Sequence, residues 1–169
     1  MPFTPFHAGP CACIGLPLNR YIDIPVLILS NIAIDIEPLA VMLFNLDYPL
    51  HGYCHTLLVG IVLGIIWGLL MYPARGFLGW CMKLFRLPYK TSINKMIISA
   101  VAGIWLHIVF DSVLYKEINP FWPFLGNPLF YIVRFSTIFY ICEISLIIAL
   151  VVYPARAFSI YRKEKSLQQ

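Results

Sequence analysis

The chain has 169 residues, 60% of them hydrophobic and 12% charged, with a mean hydropathy of +0.81. Soluble domains carry about a quarter charged residues, so this composition excludes a chain whose main solvent is water. The net charge of +4 comes largely from clusters beside apolar runs, which points to lipid headgroups and not to a nucleic-acid surface.

The opening stretch, MPFTPFHAGPCACIGLPLN, lacks a basic start and is interrupted at Pro5, Pro10 and Pro17, so it is expected to be mature structure and not a secretory signal. Within residues 1–20 one short helix, His7 to Leu18, spans only about 18 Å at the helical rise, enough for a half-membrane or re-entrant element. Ile24 to Phe44, Pro49 to Tyr72, Lys95 to Tyr115 and Val133 to Tyr153 each approach the roughly 20 residues needed to cross a hydrocarbon core. The predicted fold class is all-α: a polytopic membrane helical bundle of four spanning helices plus the short N-terminal element, forming one integral membrane domain over residues 1–169. Gly76 to Tyr89 mixes Trp80, Leu84, Phe85 and Leu87 with Lys83 and Arg86, as a segment lying along the interface would. Residues 156–169 form a basic tail. The five cysteines, Cys11, Cys13, Cys54, Cys81 and Cys142, are odd in number and lie mostly among apolar residues, as small buried side chains do.

Basic residues set the expected orientation. Arg75, Lys83, Arg86, Lys90 and Lys95 crowd the connection after the second span, and Arg156, Arg162, Lys163 and Lys165 follow the fourth. Both places are expected to be cytoplasmic, with the C-terminus, and alternation adds Arg20, leaving only Lys116 and Arg134 outside. The repeated Tyr72-Pro73-Ala74-Arg75 and Tyr153-Pro154-Ala155-Arg156 are expected to end the second and fourth spans alike, with an aromatic anchor, a helix stop and a cation.

Against this apolar background the polar residues stand out, because a charge inside a membrane costs about 2.5–3.5 kcal/mol on insertion scales. Asp35 and Glu37 fall in the outer half of the first span, His51 and His55 begin the second, and His107 and Asp111 lie in the outer part of the third. His51 and His55, like His107 and Asp111, are four apart and would share a helix face. His7 starts the short helix at a similar depth. A single membrane histidine is usually an interhelical hydrogen-bonder, but four with adjacent carboxylates favour a shared cation, and Zn²⁺, as one or two ions, suits imidazole and carboxylate ligands. Asp35 and Glu37 do not share a face in a regular helix, so Pro38 is expected to loosen the turn if Glu37 is to join the site.

These residues resemble the pattern of the LexA-regulated, membrane-bound metal-dependent hydrolase family: His7 in FTPFHAGP, Asp35 and Glu37 in IDIEP, then HGYCHT, HIVFD and NPFWPF, over residues 3 to about 125. Ile34 stands where the family has proline, Glu37 where it has Asp, and HGYCHT lacks the family's Arg. More distantly the order of residues is similar to zinc-dependent phospholipase C. The resemblance implies hydrolysis through a metal-activated water, with metal ligands His7, Asp35, His51, His55, His107 and Asp111, and with Glu37 as ligand or general base beside Asp35. A site at outer-leaflet depth favours a lipid or lipid-linked ester as substrate, phosphate esters first. Arg134 and Asn119, on the outer side, are candidates to hold it, while Glu143 in the fourth span is expected to be structural. The competing readings are a divalent-metal or proton transporter, and a scaffold with a structural metal. The first would need ionisable groups on the inner half of the spans; the second would need only four ligands.

Overall fold

A computed structural model describes residues 7–166, with side chains through residue 158. Residues 3–6 of the first motif and the Arg162, Lys163 and Lys165 side chains of the tail lie outside this range.

The described residues are helical, with no strand among them: α1 (Ala8–Gly15), α2 (Ile24–Ala33), α3 (Ile36–Leu43), a 3₁₀ turn (Tyr53–His55), α4 (Leu57–Met71), α5 (Arg75–Leu84), α6 (Ile93–Leu114) and α7 (Phe135–Ser166). Three stretches are long and apolar enough to cross a membrane: Ile24–Leu43, Ile93–Leu114 and Phe135–Phe158. The count becomes four if α4 and α5, bent by 81° at their junction, form one broken span.

α6 is the central post. α2 and α4 pack against it on separate sides, and α1 lies between α2 and α7. The α4 contact depends on Gly60, Gly64 and Gly68, which fall on one face at four-residue spacing and are all buried. A Cβ on Gly64 would sit 2.7 Å from the Val101 Cα, so only a glycine lets the two backbones come this close. On the other side, a Cβ on Gly103 would meet the Leu27 carbonyl oxygen at 2.3 Å.

The end of the bundle at the start of α2 and α6 is tied by polar side chains. Asp23 caps α2 by accepting from the Val26 N–H, its other carboxylate oxygen accepts from Thr91, and its own N–H donates to Ser99 Oγ of α6 at 2.7 Å. Lys95 Nζ donates to the carbonyls of Asn19 at 2.7 Å and Lys90 at 2.8 Å. Burial raises the pKa of nearby Tyr89, and the Asp23 carboxylate adds to the rise. α5 buries Leu78 and Met82 and exposes Phe77, Trp80 and Leu84, the two-sided pattern of a helix lying along an interface.

Several sequence expectations need correction. The first span stands as Ile24–Leu43, but its helix is interrupted at Ile34–Asp35, between α2 and α3. The second begins as helix only at Leu57, because Pro49 and Gly52 break the preceding backbone and Thr56 caps α4 by accepting from the Val59 N–H. His51 and His55 therefore do not share a helix face. The two Tyr-Pro-Ala-Arg sequences also differ. At Pro73 the chain turns from α4 into α5, whereas Pro154 sits inside α7, which runs on to Ser166. There Tyr153 donates to the Phe85 carbonyl at 3.0 Å and Arg156 to the Leu16 carbonyl, fixing the helix through its proline. All five cysteines are free, with Cys11 and Cys142 buried.

Candidate metal centre

The α2–α3 break presents Asp35. Pro38 has no N–H, and its ring crowds the Ile34 carbonyl that a continuous helix would bond to it. That carbonyl instead accepts from the Glu37 N–H at 3.3 Å, and Asp35 N–H reaches back to Ile32 at 3.2 Å. These tight turns leave Asp35 facing α6, with Oδ1 3.3 Å from His107 Nε2. One turn further along α6, Asp111 places Oδ2 3.1 Å from the same nitrogen. His55 arrives from the 3₁₀ turn, completely buried.

Asp35, His55, His107 and Asp111 thus form a buried group in which one ligand atom from each lies within 4.8 Å of the others, and it can hold a metal ion. Ligands at the usual Zn–N and Zn–O lengths around a tetrahedral ion lie roughly 3.3 Å apart. The contacts of His107 with Asp35 and Asp111 have that spacing. A second observation concerns His55, whose Nε2 is buried without a hydrogen-bond partner. Its Nδ1 lies 2.7 Å from Glu37 Oε2. A carboxylate can only accept, so Nδ1 carries the proton and the Nε2 lone pair is left bare. An orphaned buried nitrogen costs about 1–3 kcal/mol unless something binds it.

Glu37 is fully engaged. Besides His55 it accepts from the backbone N–H groups of Gly52 at 3.1 Å and Cys54 at 3.2 Å, so both oxygens face the 51–56 segment and neither reaches Asp35's partners. It positions His55; its hydrogen bonds go to His55, Gly52 and Cys54, and it is not a member of the group that can hold an ion.

The other two histidines flank the group. His7 Nδ1 is 3.3 Å from His107 Nδ1, its Nε2 is 3.8 Å from Asp111 Oδ1, and its ring stacks on Phe110. His51 Nε2 is 3.9 Å from Asp111 Oδ2, and its Nδ1 is 2.9 Å from Glu117 Oε1. Glu117 escaped the sequence reading: it follows α6 in a loop and forms no motif with the histidines. The loop returns because Asn127 donates to the Ser112 and Tyr115 carbonyls at 2.7 and 2.9 Å, and because the Leu57 N–H donates to the Pro120 carbonyl at 2.9 Å.

His51 and Glu117 line a cavity of about 230 Å³ with Tyr48, Gly52, Asn119 and Trp122. Asn119 braces this loop by accepting from the Gly126 N–H at 2.8 Å, and thereby forms part of the cavity wall. Tyr48 accepts from the Tyr53 N–H at 2.9 Å, and partial burial raises its pKa. Arg134 is exposed just before α7 and lines neither this cavity nor the buried group, and Glu143 is exposed on α7.

No family model, no curated protein and no solved structure matches this chain.

Proposed function

We propose that the protein is a membrane-embedded, zinc-dependent hydrolase of lipid or lipid-linked phosphoesters, with four spans, a short N-terminal half-membrane helix, a cytoplasmic C-terminus and its site at the depth of the outer leaflet. The observation that carries the reading is the buried group Asp35, His55, His107 and Asp111, with the bare Nε2 of His55 inside it. The motif resemblance to metal-dependent membrane hydrolases supports the same chemistry, and ten of the twelve Lys and Arg residues on one side support the orientation. The irregular 51–56 segment is tolerable at membrane depth because its backbone is held by Glu37 and lines a cavity.

When bound, a zinc ion supplies a water that is nucleophilic near neutral pH and a Lewis acid for the ester oxygen. His55, His107 and Asp111 would hold it and leave a position for that water, while Asp35 would balance the charge beside them. Glu37 keeps His55 in the ligating tautomer. His51, braced by Glu117, has its Nε2 turned toward Asp111 and its ring in the wall of the polar cavity, where it can take a proton from water and return it to the leaving oxygen. His7 closes the opposite side of Asp111 and excludes solvent there.

Ion carriage is less well supported, because between the group and Asp23 the buried Ser30 and Asn31 are uncharged and bonded to backbone, and the Asp23 carboxylate is held by the Val26 N–H and Thr91. The test is turnover of phospholipids, lipid phosphates and lipid-linked diphosphates by the purified protein in vesicles, with chelator and after zinc is restored. Zinc-restored release of a phosphate-bearing product, lost by about 10²-fold or more in Asp111→Asn, is expected. If the zinc-loaded protein turns over none of these lipids while its vesicles pass zinc, it is a carrier instead.

A further inference from the structure

A second cavity, of about 420 Å³, lies between α3 and α4. Its walls are almost wholly apolar, with Ala33, Ile36 and Ala40 on one side and Leu63, Ile66 and Trp67 on the other. It exists because α3 does not pack closely against α4, and because alanines stand at 33 and 40 where larger side chains would fill the gap. Ile36 and Ile66, 57% and 48% exposed, stand at its open edge, on helices whose outer faces are apolar enough for lipid.

The two ends differ. One reaches Glu37, Cys54 and Tyr48, and Glu37 is the residue bonded to His55 of the buried group; Tyr48 also lines the polar cavity that holds His51 and Glu117. The other end reaches Trp67. From Leu57 to Trp67 the helix rises roughly 15 Å, about half of a hydrocarbon core ~30 Å thick, which is the depth of one leaflet. An apolar slot about one leaflet long, open to lipid, meets the cavity lined by His51 and Glu117 beside the candidate metal centre.

We infer that this slot holds one acyl chain of an outer-leaflet lipid, with the lipid's headgroup directed past Tyr48 into the His51–Glu117 chamber. Hydrocarbon moving from bilayer to slot gains little from the hydrophobic effect, since lipid tails are already apolar. The slot therefore acts by shape. It fixes the chain, and with it the depth of the ester bond, so that the bond beside the headgroup comes to the metal group while bonds further down do not. Naming the chain as part of the substrate rests on the hydrolase reading, whereas occupation of the slot by a chain does not.

Full-length protein is reconstituted in phosphatidylcholine vesicles containing a phosphatidic acid whose acyl chain carries a photoreactive diazirine, and the cross-linked peptides are mapped. Labelling is expected to concentrate on Leu63, Ile66 and Trp67 over the lipid-facing Ile147 and Leu150 of α7. Ala40→Trp is expected to lower the slot label by about tenfold while α7 labelling and zinc binding persist. If Ala40→Trp loses zinc and so folds poorly, Ile66→Trp, entering from the exposed edge, makes the same test. Labels spread evenly over slot and α7, or a slot label unchanged in a zinc-binding filled variant, would overturn the inference.

Turnover is then read separately with a long-chain and a short-chain phosphatidic acid. A rise in KM for the long chain alone in the filled variant joins slot and reaction. A KM that is unchanged for both removes the slot from the reaction although hydrolysis stands. Slot labelling without turnover of either lipid leaves the chain-binding inference intact and sinks the hydrolase reading.

Discussion

Glu37 and Glu117 each brace a histidine through Nδ1, at 2.7 and 2.9 Å, but the two pairs face different surroundings. The Glu37–His55 pair is buried within the protein, and His55 belongs to the group that can hold an ion. Removing the Glu37 charge should weaken metal binding without removing a ligand, so Glu37→Gln is expected to lower zinc affinity by about 10–100-fold in a competition titration. The Glu117 side chain is 43% exposed and lines the polar cavity, so Glu117→Gln should leave zinc affinity unchanged and slow turnover of a phosphatidic acid by about 10²-fold or more. Equal loss of zinc in both variants would show that the pairs do not divide the work in this way. At this scale the sequence was informative where ligands share one helix. His107 and Asp111 are four apart on α6 and meet as that spacing requires. It was silent on Glu117, whose place depends on a loop folded back by Asn127, and it left Glu37 conditional, since spacing does not say which way a broken helix turns each side chain.

Among the elements, the close α4–α6 contact is set by glycines that carry no chemistry. Gly64→Val would drive a branched side chain into the Val101 backbone and is expected to cost about 1–3 kcal/mol, read as a lower unfolding midpoint in detergent, whereas Leu70→Val on the exposed face should change little. Asp23→Ala removes a helix cap together with its Thr91 contact and is expected to cost about 1–2 kcal/mol in the same measurement. Hydropathy alone revealed the long α6 and α7, because a continuous apolar run can be read without knowing its neighbours. It did not reveal that His51 and His55 stand in irregular chain. Their rings nevertheless come within 4.9 Å, so the helical expectation failed while the proximity drawn from it is present for another reason. Pro154 is the converse: its local rule is to stop a helix, and contacts of Tyr153 and Arg156 with distant carbonyls override it.

For the molecule as a whole, the polar cavity beside the candidate metal centre and the basic α4–α6 connection lie toward opposite ends of α4. In the proposed orientation a Leu125→Cys thiol reacts with an impermeant maleimide added outside intact cells, and a Trp80→Cys thiol reacts only after permeabilisation; the opposite pattern would invert the topology. An apolar bundle with irregular, carboxylate-rich chain at one end is an expensive arrangement in a bilayer unless a cation balances the charge. The proposed activity therefore turns on the metal. The most direct measurement is the zinc content per chain of the purified protein after equilibrium with buffered zinc, for wild type, His107→Ala, Asp111→Asn and Glu117→Gln. At least one tightly held ion in wild type and Glu117→Gln, and its loss in the other two, is the predicted result. A wild-type chain that takes up no zinc, or ligand variants that hold it as well as wild type, would contradict it.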